Sequence, residues 1–275
     1  VENYSPPTSP TPSTSGSFMG SFASRSTSPL PPPANYRVSC LSATSKSYKY
    51  LRRLLKFNQM DFEFALWQMF YLFVNPQMVY RNFNYRKQTK AQFARDDPAF
   101  LVLLVVCLCV TSLGFAYVLE LSFWQSISLI FYVVFVDCIF AGIIVATGFW
   151  VFMNRYLKQM NFDSDIEWGY AFDVHLNAFF PPLILLHFIQ ILIYNVALYD
   201  QSFLSVLAGN SCWLLALMYY IYITFLGYHC ILPLVERAKS ILVFGPILII
   251  VYIITLILRW NISVTFMNFY KYRVY

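Results

Sequence analysis

The sequence is poor in charge and lacks the glycine motifs on which phosphate-binding enzymes depend. Only 12% of the residues are charged, whereas 59% are hydrophobic and 20% are aromatic. An ordinary soluble domain has about a quarter of its residues charged, so this composition excludes that class and indicates a membrane protein. The nine glycines form no dinucleotide-binding, P-loop or nucleophile-elbow motif, which argues against the corresponding enzymes.

Cysteine is also scarce, and its placement argues against disulfide or metal chemistry. Most of the six cysteines lie in apolar runs, where a cysteine acts as a small buried hydrophobic residue. No group of His, Cys, Asp and Glu has the spacing of a zinc or calcium site. We therefore expect no metal, no cofactor and no enzymatic activity.

The chain divides by composition into four parts. Residues 1–45 are rich in Ser, Thr and Pro and are predicted to be a disordered cytosolic tail. Residues 46–98 begin with a basic amphipathic pattern and continue into the apolar stretch Phe62 to Val74. Because about 20 residues are needed to cross a bilayer, this stretch predicts a helix in the interface or under the bundle. Residues 99–258 form the membrane domain, and residues 259–275 are predicted to be a short C-terminal tail.

Five apolar runs in the membrane domain are long enough to span a bilayer. The fold class is therefore all-α: an integral membrane protein with five transmembrane helices. Asp97 and Pro98 give the first of them a start signal, since Asp caps free backbone N–H groups and Pro needs none. The predicted spans are Ala99 to Leu119, Ile127 to Phe152, Ala178 to Leu198, Leu204 to Leu226 and Ile241 to Leu258.

Positive charge predicts the orientation of the spans. Twelve of the 19 Lys and Arg residues precede the first span, and later ones cluster after the second and fourth. Cationic loops stay on the cytosolic side, so the N-terminus is predicted to be cytosolic and the C-terminus lumenal.

Cations before the first span are the first candidate site. They could bind anionic lipid and fix topology, dock a protein, or bind RNA through the interleaved aromatics, and the sequence leaves these alternatives open. We call the cations from Arg81 to Arg95 the basic collar. The candidate partner- or lipid-binding residues are Lys49, Arg52, Arg53, Lys56, Arg81, Tyr85, Arg86, Lys87, Lys90 and Arg95.

An acidic stretch between the second and third spans is the second candidate. It lacks the Gly and Glu that a calcium loop requires at its sixth and twelfth positions. We expect it to be a cytosolic loop that pairs electrostatically with the basic collar. Its residues are Asp163, Asp165, Glu167, Asp173 and His175.

Ionisable residues inside the spans are the third candidate, because such residues are costly in lipid. Asp137 lies in the second span, and His187, Gln190 and Tyr194 form a polar stripe on the third that could meet it. One reading is an ion- or proton-coupled transporter that uses Asp137 and His187. The other is a set of polar contacts that fixes helix register, which the absence of internal repeats favours.

Six long strings carry a family resemblance that covers about residues 48–274. They closely resemble the Unc-fifty family. The strings are YLRRLLKFNQMDFEFALWQMFYLF from Tyr50, VYRNFNYRKQTK from Val79, ARDDPAFLVLL from Ala94, EWGYAFDVHLNAFFP from Glu167, YYIYITFLGY from Tyr219 and FYKYRV from Phe269.

The resemblance implies a multi-pass Golgi membrane protein that supports delivery of receptors, including nicotinic acetylcholine receptors, to the cell surface. It also implies a link to large Arf guanine-nucleotide exchange factors. A vertebrate relative has been proposed to bind RNA at the nuclear inner membrane, so an RNA-binding nuclear-envelope protein is the alternative. The family has no established catalytic residues, and none is assigned.

Overall fold

The computed structural model describes residues 52, 54, 56–82, 97–157, 165–198, 202–230 and 237–275. The N-terminal tail predicted for residues 1–45 lies outside these ranges. Within them the regular structure is helical and contains no strand, which confirms the all-α class. We number seven helices, α1 to α7, and introduce each with its bounds.

Five of these helices are long and apolar enough to cross a membrane, as the sequence predicts. They are α2 (Ala99–Val118), α3 (Phe123–Leu157), α4 (Trp168–Ile193), α5 (Phe203–His229) and α6 (Arg237–Ile257). The 35 residues of α3 would reach about 52 Å at 1.5 Å per residue, well beyond a hydrocarbon core of about 30 Å. The longer helices therefore extend past the membrane.

The helix α1 (Phe62–Val74) has the bounds that the sequence predicts. It begins at Asp61, whose carboxylate accepts a hydrogen bond from the Phe64 N–H at 2.9 Å, and ends at Asn75. Residues 76–82 continue as a further short helix. The helix α1 packs against one end of the bundle, which we call the α1 end. This end includes the first residues of α2, α4 and α6.

The last helix differs from the prediction of a short tail for residues 259–275. The chain turns after α6 through Arg259, whose φ of 52° is left-handed, and continues as α7 (Ile262–Val274). This helix returns into the bundle, with Ser263, Met267 and Tyr270 buried. The prediction fails because α7 is too polar and too short to register as a span.

Two clusters of buried side chains hold the helices together. The larger one is formed by residues of α1 to α5 and α7. The smaller one lies at the α1 end and joins Met153 of α3, Tyr170 of α4, Tyr228 of α5 and Ile241 of α6. The second cluster packs together the parts of the long helices that extend past the membrane. The protein therefore has an ordered surface at the α1 end.

Candidate functional site

Three residues of the predicted basic site lie in the part of the chain that the structure describes. Arg52, Lys56 and Arg81 are all exposed there. Seven further residues of the predicted basic and aromatic site lie outside the described residues: Lys49, Arg53, Tyr85, Arg86, Lys87, Lys90 and Arg95. The structure therefore describes three residues of this site and the helix α1, which lies between Lys56 and Arg81 in the sequence.

Asp97 joins α1 to the first membrane-spanning helix. One of its carboxylate oxygens accepts a hydrogen bond from the Ala99 N–H at 3.1 Å, at the start of α2. The other accepts from the Asp61 N–H at 2.8 Å, immediately before α1. A single carboxylate thus satisfies free donors at two helix starts, where a negative charge is also favourable. The predicted capping role of Asp97 is confirmed and extends to a second helix.

Two further contacts attach α1 to the centre of the bundle. The Gln68 amide donates to the Asn177 Oδ1 of α4 at 2.5 Å, and both side chains are buried. Near the end of α1, the Tyr219 hydroxyl of α5 donates to the Leu72 carbonyl at 2.9 Å. Since α1 is anchored at its start, middle and end, its orientation on the bundle is fixed.

The outward face of α1 is apolar. Leu66, Phe70 and Val74 recur four residues apart, so they lie along one side of the helix, and each is more than half exposed. We call this line of side chains, together with the exposed cations Arg52, Lys56 and Arg81, the α1 platform. An apolar stripe beside cations can bind the boundary between lipid headgroups and acyl chains, or a protein that approaches it.

The predicted acidic loop is shorter in the structure than in the sequence analysis. Asp163 lies outside the described residues, and Asp165 and Glu167 directly precede α4. Asp173 and His175 lie within α4 itself, which corrects their placement in a loop. His175 is buried, and its Nδ1 is 2.8 Å from the Tyr220 hydroxyl of α5. It connects two helices and cannot contribute to an exposed acidic surface.

Inside the membrane domain, Asp137 has a partner that the sequence analysis did not find. The Nη1 of Arg273 in α7 lies 2.7 Å from Oδ1 and 2.9 Å from Oδ2 of Asp137. The guanidinium also lies over the Tyr132 ring, 4.8 Å from its centroid. The sequence analysis left open that Asp137 meets the polar stripe on the third span, and in the structure the charge partner of Asp137 is Arg273.

His187 lies close to α7. Among the described contacts, neither His187 nor Gln190 is an ionic partner of Asp137. The His187 Nε2 is 3.5 Å from the Tyr270 hydroxyl of α7. Within the described ranges, His187 Nδ1 and Gln190 Oε1 are buried and have no hydrogen-bond partner. Asp137 and His187 both lie in stretches of π-helix, Tyr132–Phe140 and Ile184–Ile189, a rare form that shifts the positions of side chains.

This arrangement favours a role in helix register over transport. A transporting carboxylate has to exchange partners, whereas Asp137 is held by two hydrogen bonds from an arginine of its own chain. The described residues contain no group of three or more His, Cys, Asp or Glu that could hold a metal ion. The contacts at Asp137 support the positioning of α7 against α3.

A polar hairpin positions α7, and sequence reasoning missed it. The Asn210 amide of α5 donates to the Trp260 carbonyl at 2.9 Å and to the Thr255 hydroxyl at 3.1 Å. Its Oδ1 accepts from the Ile262 N–H at 3.0 Å. Asn261 caps α7 through the Val264 N–H. Backbone groups that leave a helix inside a membrane domain need hydrogen-bond partners. The Asn early in the span α5 was therefore the sequence signal that could have predicted this hairpin.

Comparison with known proteins places the chain in a family. The model of the UNC-50 family matches residues 50–271. A Drosophila melanogaster protein named Protein unc-50 homolog is 68% identical over 97% of this chain and 96% of its own length. The Homo sapiens protein of that name is 54% identical over 85% of this chain and 90% of its own. No solved structure matches the chain. The chain belongs to the UNC-50 family.

Proposed function

We propose that this protein is a Golgi membrane adaptor that supports protein traffic, including delivery of receptors such as nicotinic acetylcholine receptors to the cell surface. Its partner would be a large Arf guanine-nucleotide exchange factor, bound at the α1 end, which is the cytosolic side in the predicted orientation. Membership of the UNC-50 family supports this assignment through the function that the resemblance implies. The role requires binding and no catalytic residue.

The anchored α1 platform is the observation that carries the proposal. A surface that is already rigid loses little conformational entropy when a partner binds. The α1 helix meets this condition, since Asp97, Gln68 and Tyr219 hold it at three points along its length. Its apolar stripe and exposed cations supply the two kinds of contact that a cytosolic protein needs to bind both the adaptor and the adjoining leaflet.

Positive charge at this end assists recruitment in two ways. Each cation near an anionic leaflet contributes about 1 kcal/mol to attraction, and the same field accelerates the approach of an acidic protein surface. The collar residues Arg81, Arg86, Lys87 and Lys90 lie between α1 and α2 in the sequence. A change in these four residues therefore tests docking without altering the anchors of α1.

Affinity purification in mild detergent tests the proposal. We compare the wild type with a variant in which Arg81, Arg86, Lys87 and Lys90 are all changed to Gln. Loss of an Arf exchange factor from the variant eluate is the expected result. The control changes Arg155 and Lys239, exposed cations of α3 and α6, to Gln. RNA is quantified in the same eluates.

Each outcome has a defined meaning. If the exchange factor is lost from the collar variant and retained by the control, the basic collar, rather than positive charge anywhere at the α1 end, is the docking surface. If both proteins retain the same partners, protein docking by the collar is wrong. If the variant loses crosslinked RNA but no protein, the RNA-binding alternative replaces the adaptor.

A further inference from the structure

The exposed side of α7 carries two strongly polar side chains although the helix packs within the membrane domain. Asn268 and Lys271 are three residues apart, so they share one side of the helix, and both are exposed. Met267 and Tyr270, at neighbouring positions, are buried in the bundle. The exposed side also carries Phe269 and Tyr272, which are compatible with lipid, whereas an amide and an ammonium group are not.

The contacts of the residues on either side of Lys271 show how far it lies from the hairpin along the helix axis. The preceding residue, Tyr270, packs edge-on against Phe115 of α2, with 5.3 Å between the ring centroids. Two residues further on, Arg273 pairs with Asp137, which lies about 21 Å along α3 from its first residue at 1.5 Å per residue. Lys271 itself lies about 15 Å along α7 from its cap at Asn261. This depth is greater than a lysine side chain spans, so its ammonium group cannot reach the headgroups beyond the hairpin.

Neither side chain has a polar partner in the part of the chain that the structure describes. The Lys271 Nζ lies 5.8 Å from the centroid of the Tyr275 ring, a contact that leaves its three N–H donors without an acceptor. A lysine that faces lipid at the centre of a membrane helix is costly. Two residues further on, Arg273 avoids this cost through Asp137.

We propose that Asn268 and Lys271 form an intramembrane contact surface for a partner protein whose spanning segment carries a carboxylate. A carboxylate beside Lys271 would make the kind of ion pair that Asp137 makes with Arg273. Asn268, about one turn earlier, can donate to and accept from a polar side chain of the same segment. Acyl chains offer no acceptor at this depth, so charge complementarity selects an acidic segment. The surface is separate from the α1 platform and does not depend on the proposed function.

Reconstitution with model peptides tests this contact. The purified full-length chain carries a donor fluorophore and is placed in phosphatidylcholine vesicles. The probe is an acceptor-labelled single-span peptide of Leu and Ala with one central Glu, compared with the same peptide carrying Gln. We expect the Glu peptide to associate about tenfold more tightly, which corresponds to 1–2 kcal/mol for a polar contact between membrane helices. The variant Lys271→Gln should lose this preference.

Two variants separate charge from folding. Lys271→Arg keeps the cation and should keep the preference for the Glu peptide. Lys239→Gln removes an exposed lysine from α6 and should also keep it. Equal association of the two peptides with the wild type overturns the proposal, as does a preference that survives Lys271→Gln. Rapid acetylation of Lys271 by a membrane-impermeant reagent, in vesicles without peptide, overturns it too, because water would then supply the missing acceptors.

Discussion

Arg273 and Asp137 are separated by 136 residues in the sequence, yet the arginine Nη1 lies within 2.9 Å of both carboxylate oxygens. The pair joins the last helix to the second membrane-spanning helix. Asp137 retains 31% of its side-chain exposure and Arg273 retains 17%. Each charge therefore depends on the other for compensation that lipid cannot supply.

Removal of either charge alone should destabilise the protein more than removal of both. Loss of one partner from a buried pair costs about 3–5 kcal/mol, and we expect about 2 kcal/mol or more for Arg273→Gln because this pair is only partly buried. The double variant Asp137→Asn with Arg273→Gln leaves no unpaired charge and should recover most of that loss. Thermal unfolding in detergent measures all three proteins.

The control for this cycle is Lys271→Gln on the same helix. That lysine is exposed and has no ion pair among the described residues, so its substitution should leave the unfolding temperature in detergent nearly unchanged. A double variant less stable than either single variant would contradict the assignment of Arg273 as the counterion of Asp137.

Asp97 should stabilise the starts of α1 and α2 together. Asp97→Ala removes the acceptor of both the Asp61 and the Ala99 N–H groups, and loss of a cap costs about 1 kcal/mol at each helix. We expect faster hydrogen exchange at these two amides and no change along α5. Asp97→Asn keeps a side-chain oxygen and should show a smaller effect. Unchanged exchange at Asp61 would mean that Asp97 does not anchor α1.

The contact between Gln68 and Asn177 should behave as a coupled pair. Gln68→Leu alone leaves the buried Asn177 amide without the hydrogen bond from Gln68, and Asn177→Leu removes an acceptor of Gln68. Loss of such a bond costs about 1–3 kcal/mol. The double substitution to Leu removes both polar groups and should be close to the wild type in stability. Unfolding of the four proteins in detergent gives the coupling energy. Strictly additive effects would show that the hydrogen bond contributes nothing to the attachment of α1.

Hydropathy is sufficient to predict the five spans because their apolar stretches are long, and it predicts α1 because that stretch is bounded by Asp61 and Asn75. It cannot predict α7, since Asn268, Lys271 and Arg273 lower its apolar content. That helix is stable where it lies because Asp137 and Asn210 compensate its charge and its exposed backbone. The principle that a mid-span carboxylate needs a cation predicts that Asp137 has a partner. It does not select among the cations of the chain.

The acidic stretch shows a similar limit at the α1 end. Asp163 to Asp173 is polar enough to be read as a loop, yet α4 begins at Trp168. Helix formation there depends on packing that the local sequence does not reveal. Tyr170 and Val174 enter the smaller cluster with Tyr228 of α5, and the Tyr170 hydroxyl donates to the Gly227 carbonyl at 2.6 Å. Tertiary contacts thus extend the helix beyond its apolar run.

The orientation of the bundle remains a prediction from charge, and cysteine labelling tests it. Glu120→Cys and Arg259→Cys place thiols in the exposed turns that follow α2 and α6, whereas Lys239→Cys places one at the α1 end. In sealed microsomal vesicles whose cytosolic face is outward, an impermeant maleimide should label the cysteine at 239 at once. It should label those at 120 and 259 only after the membrane is permeabilised, because an odd number of spans puts both turns on the lumenal side. A background without the native cysteines serves as the control.

Immediate labelling at 120 would reverse the orientation, and the α1 platform would then face the lumen and could not bind a cytosolic exchange factor.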